Sequence, residues 1–172
     1  MSQREYFDID PPRARLLGDL WKYQQKDRHI STQTIKELAE KYDISQVEVE
    51  GVTSFYHFFH RTNAGKHTIY INESILSKLK GYDRIVQAFE KETGAKLHSV
   101  DPSGTFGLFP TACIGLSDQE PAALIDFQPF THLNVIKVKE IVQHLKNGKA
   151  AYEICPEVDE NIRFTPPKGS LF

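Results

Sequence analysis

The sequence predicts an α+β protein: an N-terminal three-helix bundle over residues 1–62, then a small mixed sheet flanked by helices over residues 63–150. Two changes of pattern predict it. Up to Phe59 the apolar residues recur three and four apart, the period of helices with one buried face. Beyond Thr62-Asn63-Ala64-Gly65, alternating β-branched runs take over, interleaved with helical stretches. Residues 151–172 carry Pro156, Pro166, Pro167 and Gly169, show no period, and are expected to form an extended arm or linker.

Each element has its own signal. Asp10 is a candidate N-cap with Pro11 and Pro12 in the first helical turn, and Leu16, Leu17, Leu20, Trp21 and Gln24 recur after them at helical spacing. A second helix is expected from Ser31, with Ile35, Leu38, Ala39 and Tyr42 on one stripe. A third opens on the capping box Ser45-Gln46-Val47-Glu48 and is expected to run to Phe59. Helices this short are marginal alone in water, so their apolar faces must pack on one another and on the sheet expected beyond residue 63.

His67 to Ile71 reads as a strand, and Ile75 to Glu92 as one helix closed at Gly94. Lys96–Val100 and Phe106–Phe109 read as strands around the turn Asp101-Pro102-Ser103-Gly104. Ala122–Asp126 is expected as a further strand and Val138–Leu145 as a closing helix.

Composition narrows the function. The chain has 172 residues, 40% of them hydrophobic, and a formal net charge of -2, which supplies no basic field for nucleic acid. No apolar run approaches the ~18 residues that crossing a bilayer needs, and no apolar leader precedes the first helix. Cys113 and Cys155 are the two cysteines, so no disulfide framework is expected, and a reducing cytoplasm is the expected setting.

Cys113 opens the stretch Cys113-Ile114-Gly115-Leu116-Ser117-Asp118-Gln119-Glu120-Pro121, in which a serine stands where a second thiol would complete a metal loop. A 2Fe-2S cluster is ordinarily held by four thiolates, and a chain with two cysteines cannot supply them. Cys113 is therefore expected as a small buried hydrophobe in a packed loop. His57 and His60 fall three apart in the expected third helix with no acidic or thiol partner on that face, so a surface or interface role is expected rather than metal ligation. The aromatic run Phe55, Tyr56, Phe58, Phe59 covers more than one helix face and is expected to be mainly core. Gly104, Gly107 and Gly115 make no phosphate cradle, and no nucleophile triad or carboxylate pair stands out.

Gly51-Val52-Thr53-Ser54-Phe55-Tyr56 after a capped helix, the β-α unit, and the Cys113–Pro121 stretch before a strand resemble the thioredoxin-like 2Fe-2S subunit of respiratory NADH dehydrogenase and its relatives. The resemblance covers nearly the whole chain and implies a thioredoxin-like fold for residues 63–150. That family's first ligand pair, C-x4-C, corresponds here to Asn72 and Ser77; its second, C-x-G-x-C, corresponds to Cys113 and Ser117. Three of the four ligand positions thus lack sulfur, and Asn72, Ser77 and Ser117 are expected to hydrogen-bond within loops. Phe106-Gly107-Leu108-Phe109, the Cys113–Pro121 stretch and Glu160-Asn161-Ile162-Arg163 further resemble the N-terminal region of the large diaphorase subunit of cytoplasmic NAD-reducing nickel-iron hydrogenases.

That resemblance implies an accessory domain with no cluster of its own, in a complex that couples hydrogen oxidation to NAD reduction through FMN and iron-sulfur clusters held by other parts. The implied partners are the flavin- and NAD-binding domain, the small iron-sulfur diaphorase subunit and the hydrogenase subunits. The chain ends where the flavin domain would begin, so it is expected to be a separated N-terminal domain or a short subunit. The alternative is a 2Fe-2S carrier with mixed Cys/Ser or shared ligation. A thiol enzyme working through Cys113 alone has no C-x-x-C partner to support it.

Overall fold

The computed structural model describes residues 11–155. The expected cap Asp10, the tail beyond Cys155 and Glu160–Arg163 lie outside the described residues. The helical part comprises α1 (Pro11–Asp27), α2 (Thr32–Tyr42) and α3 (Gln46–Phe55). Ser31 caps α2 by accepting from the Thr34 N–H at 3.0 Å, and Ser45 and Glu48 form the expected capping box of α3. Leu16, Leu20, Ile30, Ile35, Leu38, Ala39, Val49 and Phe59 make one buried cluster among the three helices. Asp19 ties α1 to α2, accepting from Lys41 and Tyr42, and those bonds together with Lys22 hold its carboxyl well below the usual range.

Beyond the helices lies the sheet, formed by β1 (His67–Asn72), β2 (Ser99–Val100), β3 (Phe106–Thr111), β4 (Ala123–Ile125) and β5 (Gln128–Phe130) in the order β2-β3-β1-β4-β5. It is mixed: β1 runs parallel to β3 and antiparallel to β4. All six residues of β1 are buried, as a central strand covered on both faces requires. Ile69, Ile71, Phe106, Leu108 and Ile125 join the second core with α5 (Tyr82–Thr93) and α6 (Val135–Lys146) through Ile85, Phe89, Val138 and Val142.

The opposite face meets the helical part. Trp21 of α1 packs edge-on against Phe127 at 4.8 Å between centroids, and Phe58 lies 5.0 Å from Tyr70 of β1. His60 shares a hydrogen bond with the Tyr70 hydroxyl at 2.7 Å, and His57 one with Thr111 of β3 at 2.9 Å. These two bonds explain why α3 stops at Phe55 rather than Phe59. Tyr56 turns extended, and the imidazoles leave the helical path to reach the sheet, so the helical three-residue spacing of His57 and His60 does not exist. Phe55 is 79% exposed and Phe59 9%, which divides the aromatic run between surface and core.

Three further elements differ from the expected ones. The helix expected over Ile75–Glu92 is broken into α4 (Ile75–Leu79) and α5, because Gly81 takes φ 102. Strand β5 was hidden by Pro129, which the edge of a sheet tolerates, and by a turn at Asp126-Phe127 whose two positive φ values are ordinarily signalled by Asn-Gly. His67 and the Thr68 N–H both bond Asp126, holding that turn without glycine. Ala151–Ile154, expected as part of an extended arm, is the short helix α7 because Ala151 and Ile154 pack on the sheet's core.

Two predictions test this architecture. A Cβ on Gly107 would run into the Ala64 carbonyl and lie 2.7 Å from the Phe109 ring, and a Cβ on Gly65, at φ 85, would lie 2.7 Å from the Gly107 nitrogen. Gly107→Ala is expected to cost about 3 kcal/mol of stability, read from chemical denaturation. The second concerns pH. Burial and the neighbouring His57 lower the pKa of His60, so the unfolded chain binds a proton that the folded one resists. Stability is therefore lost as pH falls below about 6.5, and His60→Gln flattens that slope in denaturation midpoints tracked by Trp21 fluorescence.

Candidate functional site

The four positions singled out by sequence lie at one end of the sheet. Asn72 is the last residue of β1, Ser77 sits in α4, and Cys113 and Ser117 belong to the loop between β3 and β4, with Ser117 opening a single 3-10 turn. Strand order explains the gathering, since β1 stands between β3 and β4 and its C-terminal end faces the loop that joins them.

Asn72 is fully buried, and both of its polar side-chain atoms are hydrogen-bonded. Its Oδ1 accepts from the Ser74 N–H at 2.9 Å, which leaves Nδ2 to donate to Glu120 Oε1. Because Ser74 N–H can only donate, the orientation of the amide is set by the chain itself. Glu120 is 4% exposed, and its other oxygen accepts from the Ala122 N–H at 2.8 Å. Ser77 is also buried, but in a helix rather than a loop; its N–H is capped by Ser74 Oγ at 3.3 Å, and its hydroxyl has no partner among the described residues. Nearby Tyr82 likewise buries an unpartnered hydroxyl, and burial with the Glu73 and Asp83 charges pushes that phenol up to about 12.

Cys113 corrects an expectation. It is exposed, not buried, in a loop that turns at Gly115, where φ is 81. Its sulfur lies 3.4 Å from Ser117 Oγ. That bond and the Gly115 N–H lower the thiol pKa, partly opposed by desolvation and by the carboxylate of Glu120. The structure thus pairs Cys113 with Ser117 and Asn72 with Glu120, while the Ser77 hydroxyl bonds to none of the others. Among the described residues no three His, Cys, Asp or Glu side chains gather as metal ligands.

Sequence reasoning missed Glu120 and Lys80. Lys80 reaches across from the end of α4 to the carbonyls of Ser117 and Asp118, at 3.4 and 3.0 Å. Glu120 had one readable signal: it is the charged residue directly before Pro121 and the apolar run Ala122–Ile125, a place where a carboxylate is buried if the run is a strand.

A family model for thioredoxin-like [2Fe-2S] ferredoxins matches residues 4–146. The chain belongs to that family. Among its relatives, the NAD-reducing hydrogenase HoxS subunit alpha of Cupriavidus necator is 42% identical over 143 residues, which is 83% of this chain but 24% of that subunit. The chain therefore spans about a quarter of that relative's length. A subunit of the NADH-quinone oxidoreductase of Escherichia coli strain K12 is 29% identical over 144 residues, 84% of this chain and 87% of that protein. A crystal structure of an NAD+-reducing [NiFe]-hydrogenase in the air-oxidized state superposes on 79% of this thioredoxin-like chain and 23% of its own, with a TM-score of 0.70 at 23% identity, which establishes the shared fold.

The thiol chemistry is directly testable. With its pKa lowered, Cys113 is expected to alkylate with iodoacetamide at a lower pH than an ordinary cysteine, and Ser117→Ala is expected to move that profile upward. Cys155, whose thiol burial pushes up, lags behind it; mass spectrometry after timed labelling separates the two sites.

Proposed function

We propose that this chain is an accessory, cluster-free domain of the NADH-oxidoreductase, or diaphorase, module of a cytoplasmic NAD-reducing hydrogenase. In this reading hydrogen oxidation is coupled to NAD reduction through FMN and iron-sulfur clusters held by other domains. The domain braces the flavin- and NAD-binding domain, the small iron-sulfur diaphorase subunit and the hydrogenase subunits. Kinship supports the setting: the relative at 42% identity is by name the alpha subunit of an NAD-reducing hydrogenase. Among the described residues no helix is long and apolar enough to cross a membrane.

The donor set carries the cluster-free part of the reading. Family position for family position, the chain offers one thiol, two hydroxyls and a carboxamide. A 2Fe-2S core needs soft anionic sulfur at each, and an alkoxide is harder and far more basic than a thiolate. The carboxamide is a neutral donor in place of an anionic sulfur, and its Oδ1 and Nδ2 each already hold a hydrogen-bond partner. Glu120 adds a carboxylate beside the place where cluster and thiolates would concentrate negative charge. These residues do not fit the group.

The decisive measurement is iron and acid-labile sulfide, with an electron paramagnetic resonance spectrum after dithionite reduction, on protein purified anaerobically. Neither metal nor signal above background is expected. Iron and sulfide at the stoichiometry of a cluster, with a reduced-cluster signal, would establish instead a carrier using Cys113 with serine or partner ligands.

A further inference from the structure

A metal cluster in this family's positions would do mechanical work as well as electron transfer, joining the segment 72–77 to the loop 113–117. Without it, two loops at the end of a buried strand have to be joined by something else. We propose that the Asn72–Glu120 pair has taken over this cross-link, making Glu120 the positioning residue of the loop between β3 and β4. The proposal rests on the cluster-free reading and deepens it.

Four observations carry it. First, the pair is buried, with Asn72 at 0% and Glu120 at 4% exposure, so its bonds are shielded from competing water. Second, each member is doubly anchored: Asn72 to Ser74 and Glu120, Glu120 to Asn72 and the Ala122 N–H. Third, the same two segments are joined again by backbone, the Asn72 N–H donating to Ala122 O at 3.0 Å and the Glu73 N–H to Thr111 O at 2.9 Å, so the side-chain pair closes a short ring around the end of β1. Fourth, Lys80 clips the far part of the loop by the carbonyls of Ser117 and Asp118. The His132 and Leu133 N–H groups hold it from the other side, through Gln119 O and Pro121 O at 2.8 and 2.9 Å.

The chemistry explains why these residue types stand there. A carboxylate and a carboxamide supply one acceptor and one donor to each other and still retain an acceptor each for a backbone N–H. Without these two side-chain acceptors the Ser74 and Ala122 N–H groups would lose their partners at a buried site. Replacing ligand sulfur with Asn72 alone would bury an unpaired amide; Asn72 and Glu120 together satisfy each other.

The test is a double-mutant cycle on the full chain with Asn72→Ala and Glu120→Gln, read by hydrogen exchange of the loop amides. Glu120→Gln keeps the volume but turns one end into a donor that cannot accept from both partners. Each single variant is expected to speed exchange at residues 112–122 by about tenfold while exchange in α5 and α6 is unchanged. The double variant is expected to be no faster than the worse single one, because both remove the same link. Unchanged loop exchange in Glu120→Gln, or effects that simply add, would overturn the proposal. If Asn72→Ala does not fold, Asn72→Ser takes its place, a side chain too short to reach Glu120. Iron analysis of the unaltered protein is run alongside: iron present defeats the cluster-free reading, whereas iron absent with an indifferent loop defeats only the staple.

Discussion

Burial of β1 on both faces is the constraint on which the remaining structure depends. A strand covered by α5 and α6 on one side and by aromatic side chains of the helical part on the other has no water to satisfy its polar groups. Its apolar residues need only neighbours, and Ile69 and Ile71 find them in the core. Its polar residues need partners. His67 finds Asp126, Tyr70 finds His60, and Asn72 finds Glu120. Three remote segments are thereby pinned to one strand, each by a side chain that strand presents.

The same requirement couples the two cores. The helical cluster and the sheet cluster are each apolar within themselves, but the seam between them is lined by His57, His60, Tyr70 and Thr111 amid Phe58, Phe109 and Phe127. Directional bonds within an aromatic seam set a single orientation for the helices on the sheet, which hydrophobic contact alone leaves loose. His60 adds a third tie through its N–H to Gln24 of α1 at 2.9 Å.

At the end of β1 two chemistries stand side by side. Asn72, Ser77 and Glu120 are buried, whereas Cys113 faces solvent with Ser117 beside it. In a family described by its 2Fe-2S cluster, and on the cluster-free reading proposed above, this division separates what a cluster does. Its mechanical role can be carried by hydrogen bonds between ordinary side chains; its electronic role cannot, because amide, hydroxyl and carboxylate groups do not cycle between oxidation states.

Local physics was legible in the sequence. The serine caps and helical stripes of α2 and α3, the glycine end of α5 and the alternation of β1 all depend on neighbours a few residues away, and the chain states them directly. Tertiary contact decided the remainder. The end of α3 depends on Tyr70 and Thr111, the glycine-free turn before β5 on His67, and the helical start of the expected arm on the core that receives Ala151 and Ile154. The outward face of Cys113 and the burial of Glu120 belong here too, since both are set by where the loop between β3 and β4 lands. Periodicity records which side of an element is apolar; only the assembled sheet determines which polar group, dozens of residues away, is near enough to satisfy a donor that water cannot reach.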